Sequence, residues 1–130
     1  LIEWWGWKSD MGAVFSACHI VVLPSLGEGL PTVLLEAASC ARPIVATDVP
    51  GCRDVVANGV NGLTVPPQDP LALANALGRL VAHPELRRSM GQAGRELVVR
   101  RFSSSIINQV TYRVYRDLIV KILESTRVDS

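Results

Sequence analysis

Glu28 and Glu36 are the two side chains whose setting invites chemistry. They are carboxylates with seven residues between them, flanking Gly29-Leu30-Pro31-Thr32. Gly27 and Gly29 bracket Glu28 and leave the backbone free to turn tightly. Pro31 sits where a helix prefers its proline, in the first turn, and from Thr32 on the residues read as helix. The free N–H groups of Gly29, Leu30, Thr32 and Val33 would then converge, and a helix N-terminus with a glycine-rich approach binds anions. Thr32 and Glu36 are four apart and share one helix face. Glu36 is the only charged residue between Pro31 and Ala41. A lone carboxylate on an apolar helix points at something polar, because burying it unpaired is expensive. It can accept hydrogen bonds from vicinal hydroxyls such as those of a ribose. A phosphate seat with a carboxylate one turn further on suggests a nucleotide ligand. On spacing alone an equal reading stays open, with Glu28 a loop acid and Glu36 a solvent-facing one.

The elements that must position these residues follow from the hydrophobic pattern. His19-Ile20-Val21-Val22-Leu23 is an apolar run with the length of a buried strand, and Pro24 ends it. Ile2–Trp5, Ile44–Thr47 and Leu63–Val65 are three further short strands. A helix capped by Ser9 or Asp10 runs to about Ala17. Others run over Thr32–Ala41, over a short stretch from Arg53 to Asn58-Gly59, and from Pro70, capped by Asp69, to about Ala82. Pro84 opens a helix through Leu97. A terminal helix over about 103–124 carries Ile107, Val110, Val114, Leu118 and Ile122 on one stripe, with Arg113, Arg116 and Lys121 off it. The order β-α-β-α-β-α-β followed by helices predicts an α/β fold. It is a Rossmann-like parallel sheet of about four strands with flanking helices and a helical C-terminus. The loops Gly6–Asp10, Pro24–Pro31 and Thr47–Gly51 then lie at the carboxyl ends of strands, where such sheets bind ligands.

The totals exclude other classes. With 130 residues, 48% of them apolar, the chain suits one modest globular domain. A net charge of +1 with no basic block gives no sign of a nucleic-acid partner. Cys18, Cys40 and Cys52 include no C-x-x-C pair and read as reduced thiols of a cytoplasmic protein. His19 and His83 have no companions at ligand spacing, so no metal site is expected. No apolar run approaches the ~18 residues of a membrane span. No G-x-G-x-x-G follows a strand, which argues against a dinucleotide oxidoreductase. The opening Leu1-Ile2-Glu3-Trp4 reads as the middle of a strand pattern, so the chain is expected to be a fragment.

Glu28-Gly29-Leu30-Pro31 through Glu36-Ala37 resembles the E-x7-E motif of the family 4 retaining glycosyltransferases (glycosyl transferases group 1), which have the GT-B fold. The likeness continues through Gly6–Asp10, Ala41–Gly51 and Asn58–Pro66 and the helices beyond. It departs at Asp54, where a glutamate is usual, and at Pro50, which replaces a glycine. The resemblance implies that the chain is part of the C-terminal, donor-binding half of such an enzyme. Glu36 would hold the ribose hydroxyls. Glu28, the catalytic candidate, would lie near the donor sugar or pyrophosphate. Gly29, Leu30, Pro31 and Thr32 would line the phosphates and sugar. Ser9, Asp10 and Met11 would belong to a loop against the nucleotide base, and they read equally as a plain βα loop with a cap.

The implied reaction is retaining transfer from a nucleotide-diphosphate sugar in polysaccharide or glycoconjugate synthesis. It would need no metal or other cofactor, and no D-x-D-like motif lies near the loop. The partner would be an N-terminal acceptor domain lying outside the chain. The terminal helix would pack on that domain, and any membrane attachment would belong to it. The chain alone is therefore expected to be inactive. A sugar-nucleotide epimerase of the same fold and a non-catalytic binding or assembly module are the alternatives.

Overall fold

The computed structural model describes residues 2–128. It divides into two compact units, Leu1–Val98 and Val99–Ser130. The first unit is built on a parallel sheet of β1 (Val21–Leu23), β2 (Ile44–Thr47) and β3 (Gly62–Val65), in that spatial order. Val22 lies beside Val45, and Val45 beside Leu63. All four residues of β2 are buried. A central parallel strand covered on both faces reads as a continuous apolar run rather than an alternating one.

Helices α1 (Met11–Ala17), α2 (Thr32–Ser39) and α3 (Pro50–Val55) connect the strands. They bury Phe15, Leu34, Ala37, Ala38, Cys52 and Val55. Beyond β3, α4 (Pro70–Ala82) and α5 (Pro84–Phe102) contribute Leu80 and Met90 to a cluster with Val45, Leu63 and Val65. Several ends follow from local chemistry. Asp69 accepts the Ala72 N–H at 2.8 Å, and Pro70 fills the first turn of α4. Buried Asn61 accepts the Ala57 N–H at 2.7 Å and donates to Val55 O at 2.9 Å, closing the exit of α3. α3 starts at Pro50 rather than Arg53, so part of the expected Thr47–Gly51 loop is already helix.

The expected strand Ile2–Trp5 does not form. Among the described residues the sheet has three strands, and residues 2–8 adopt no regular structure. Ile2 and Trp4 are 96% and 93% exposed. A strand is stable only when a neighbour completes its ladder and covers a face, and among the described residues no neighbour pairs with this segment. The loop Gly6–Asp10 therefore does not leave a strand, although Asp10 does cap α1.

The second unit holds the end of α5 and α6 (Ser104–Val128). The stripe expected on α6 is present. Ile107, Val110, Val114, Leu118 and Ile122 are all about half exposed or more. No described helix is long and apolar enough to cross a membrane.

Candidate functional site

The residues from Glu28 to Thr32 come together just past the carboxyl end of β1, where the chain turns into α2. Pro31 is the N-cap residue of α2, and no side chain caps that end. The first backbone donor paired within the helix is Leu34, to Pro31 O at 3.0 Å. The N–H groups of Thr32 and Val33 therefore lie in the first turn, where helix geometry supplies no acceptor. Leu34, Ala37 and Ala38 form the buried side of α2, while Thr32 and Glu36 lie together on the exposed side. The shared face expected from their spacing is thus the open one. Glu28 is half-buried, Pro31 is buried, and Gly29 and Leu30 are exposed.

Two residues that the sequence marked only as the ends of a neighbouring strand-end loop hold the Glu28 loop in place. The Thr47 hydroxyl, at the end of β2, donates to Ser25 O. Gly51, in the first turn of α3, lies directly against the loop backbone. A Cβ there would stand 1.9 Å from Gly29 O and 2.5 Å from Glu28 O. Only glycine allows that approach. The signal was present in Val49-Pro50-Gly51, but it does not say which backbone the glycine meets. Cys52 is fully buried beside this loop. Burial pushes its thiol pKa up, the charge of Glu28 adds to the rise, and a hydrogen bond with Thr47 opposes it. Glu28 is therefore close enough to be felt at the α3 terminus.

The neighbouring charges are otherwise committed. Arg53 Nε meets Asp48 Oδ1 at 2.6 Å with both side chains largely exposed. The bond from Arg53 holds the Asp48 carboxyl below its usual range. No basic side chain lies in the segment 24–41.

The N-terminal candidates are placed less directly. Asp10 spends its carboxylate on the Ala13 N–H, at 2.9 Å. Its structural role as a cap is thus established. Ser9 and Asp10 line a cavity of about 480 Å³ with Trp5, Lys8, Ala13 and Val14. Met11 is half-buried in α1 and does not line it. Trp5 was missed because it was read as a strand residue. α1 packs against α2, which joins this region to the helix carrying Glu36. A second cavity of about 230 Å³ spans the carboxyl ends of all three strands, between Pro24, Leu26, Thr47, Val65 and Gln68. Among the described residues no group of three or more His, Cys, Asp or Glu could hold a metal ion.

Residues 1–83 match the family described as glycosyl transferases group 1. The chain belongs to that family. It is 42% identical over 109 residues to alpha-maltose-1-phosphate synthase of Mycolicibacterium smegmatis, covering 79% of this chain and 28% of that protein. Sucrose-phosphate synthase from Thermosynechococcus elongatus superposes with a TM-score of 0.80 at 38% identity, over 83% of this chain and 27% of that one. HepE of Anabaena in complex with UDP-glucose superposes with a TM-score of 0.80 at 25% identity, over 85% of this chain and 30% of that one. The chain thus spans under a third of the length of these glycosyltransferase relatives, and its fold is that of the C-terminal half of GT-B.

Proposed function

We propose that this chain is the donor-binding region of a retaining glycosyltransferase that transfers a sugar from a nucleotide-diphosphate sugar to an acceptor. The observation that carries this reading is the uncapped N-terminus of α2, set at the carboxyl end of β1 and followed one turn later by Glu36 on the same open face. The diphosphate lies against the N–H groups of Gly29, Leu30, Thr32 and Val33. Glu36 accepts hydrogen bonds from the ribose hydroxyls. Glu28 faces the donor sugar, and the loop at Ser9, Asp10 and Met11 lies toward the base.

In the reaction the bond between the anomeric carbon and the diphosphate oxygen breaks, and the acceptor oxygen replaces it on the same face of the sugar, its hydroxyl proton passing to the leaving diphosphate. Negative charge grows on the leaving diphosphate, and preorganised N–H donors stabilise that charge without rearranging. Thr47 and Gly51 keep those donors in place, which is their part in the mechanism. The segment 24–41 brings no cation to the diphosphate. A basic group from elsewhere in the full-length enzyme completes the neutralisation, and the isolated chain binds donor without turnover. The open stripe of α6 packs on the acceptor domain. Sugar transfer catalysed by the purified 130-residue chain would refute the claim of inactivity.

The test is a thermal-shift panel with UDP, GDP, ADP and their sugar conjugates, on this chain and on Glu36→Ala. A nucleotide at about twentyfold its dissociation constant stabilises by about 2 kcal/mol, a rise of several degrees for a domain of this size. One base is expected to give that rise and Glu36→Ala to abolish it. Silence with every nucleotide, on this chain and on the full-length protein, would overturn the reading.

A further inference from the structure

The end of the sheet opposite the Glu28 loop carries a cluster that donor binding does not use. His19 precedes β1, Arg42 and Pro43 precede β2, and Pro84, Arg87 and Arg88 open α5. With Ala41 they line a cavity of about 180 Å³. The fold forces this meeting. α2 ends with Ala41 in the left-handed region at φ 55°, and Arg42 N–H returns to Ala37 O at 3.0 Å. α5 crosses that end at Gly91, where a Cβ would stand 2.0 Å from Ala41 O. So close a crossing sets Arg87 and Arg88, one helical turn earlier, beside Arg42.

The chemistry of the lining is one-sided. Three arginines line the cavity, and among the described residues no carboxylate does. The acid of the first turn of α5, Glu85, lines a separate cavity with Arg79 and His83. Arg87 is held in position, its Nη1 donating to Leu80 O at 2.6 Å and Val81 O at 2.9 Å. Arg42 Nε is buried and has no hydrogen-bond partner among the described residues. A buried donor left unsatisfied is costly, and a small shift of the Arg42 side chain that admits an acceptor from the cavity removes that cost.

We propose that this cavity binds the phosphoryl group of a small soluble phosphate compound, as a second anion site distinct from the donor site. A tetrahedral group with several acceptor oxygens can engage planar guanidinium forks from several directions at once. The compound is either inorganic phosphate or the phosphate end of a larger metabolite such as a sugar phosphate.

The test follows the arginine Nε–Hε resonances of the 130-residue chain by NMR during titration with sodium phosphate, with sodium chloride at matched ionic strength as control. The Arg42 resonance is expected to move and saturate with phosphate but not with chloride. Arg88→Gln, at an exposed position that leaves the fold intact, is expected to weaken the binding at least tenfold. Thr32→Ala and Glu36→Ala leave it unchanged, so the outcome is separate from that of the donor site. Equal affinity for glucose 1-phosphate and inorganic phosphate identifies free phosphate as sufficient, and tighter binding of glucose 1-phosphate identifies a larger ligand. The proposal is overturned if phosphate and chloride act alike, if Arg88→Gln binds like the parent, or if only vesicles containing phosphatidic acid move the resonance.

Discussion

Replacing Gly51 by alanine sets two effects of opposite sign against each other. Gly51 lies within α3, and alanine is better than glycine inside a helix by about 1 kcal/mol. Propensity alone therefore predicts stabilisation. The added methyl, however, would stand 1.9 Å from Gly29 O, 2.5 Å from Glu28 O and 2.7 Å from Gly29 C. These neighbours are backbone atoms, with no flexible side-chain end to swing away. Either α3 or the Glu28 loop must retreat by about 1 Å, and overpacking of this kind costs about 1–3 kcal/mol, occasionally more. An overlap this deep belongs at the upper end, leaving a net loss of about 2 kcal/mol after the propensity gain. For a domain of this size that lowers the melting temperature by roughly 8 °C. Thermal unfolding of Gly51→Ala beside the parent measures it. Gly29→Ala is the control, because a Cβ at Gly29 meets nothing within 4 Å, and it is expected to stay within about 1 kcal/mol of the parent. Since the retreat also displaces the Gly29 N–H, the nucleotide-induced stabilisation should fall in Gly51→Ala. A Gly51→Ala variant that melts at or above the parent temperature would refute the reasoning.

Other perturbations follow from the same contacts. Thr47→Val removes the hydroxyl that holds Ser25 O and should cost about 1–2 kcal/mol, read as a lower urea midpoint with an unchanged slope. Asn61→Ala strands the Ala57 N–H and Val55 O at once. It should cost about 2–4 kcal/mol by the same assay. Glu28→Gln removes a charge that raises the Cys52 thiol pKa, so ultraviolet titration of its thiolate should show a lower pKa than in the parent. The sign for stability follows by linkage. The folded thiol holds its proton more tightly than the unfolded one, so what Cys52 contributes is fully present below the ordinary thiol pKa of about 8.5. Its contribution is lost as pH rises from there through the folded value. Asp48 works in the other direction. Its carboxyl is lowered by Arg53, so what the pair contributes is present above the ordinary carboxylate range and lost as pH falls through the folded value.

Much of the candidate site was legible before any coordinates. The Glu28 loop, the start of α2 at Thr32 and the common face of Thr32 and Glu36 depend on interactions within a few residues. Glycine, proline and a spacing of four report such interactions directly. The cap at Asp69 was legible for the same reason, and the one at Asp10 as one of two candidates with Ser9, each closing on a backbone N–H three residues away. The likeness of the ordered segments to the glycosyltransferases then supplied what no single motif carries, the family to which the chain belongs.

The long-range half of the molecule was not legible in this way. Ile2–Trp5 has a strand's pattern and no strand's neighbour, and a pattern of side chains cannot supply the ladder partner that a strand requires. Gly51 and Thr47 read as ordinary loop residues until the fold set them against Glu28, Gly29 and Ser25. Arg42 and Arg88 are 46 positions apart in the sequence and meet because Gly91 lets α5 close on Ala41. The sequence by itself determined the parallel α/β order, the local geometry of the Glu28–Glu36 segment and the family, because these rest on periodicity, capping and ordered motifs. Only the tertiary structure decided which backbones approach, which polar groups are left without partners and which charges share a cavity. Those outcomes depend on distances between segments that the linear spacing of residues does not encode.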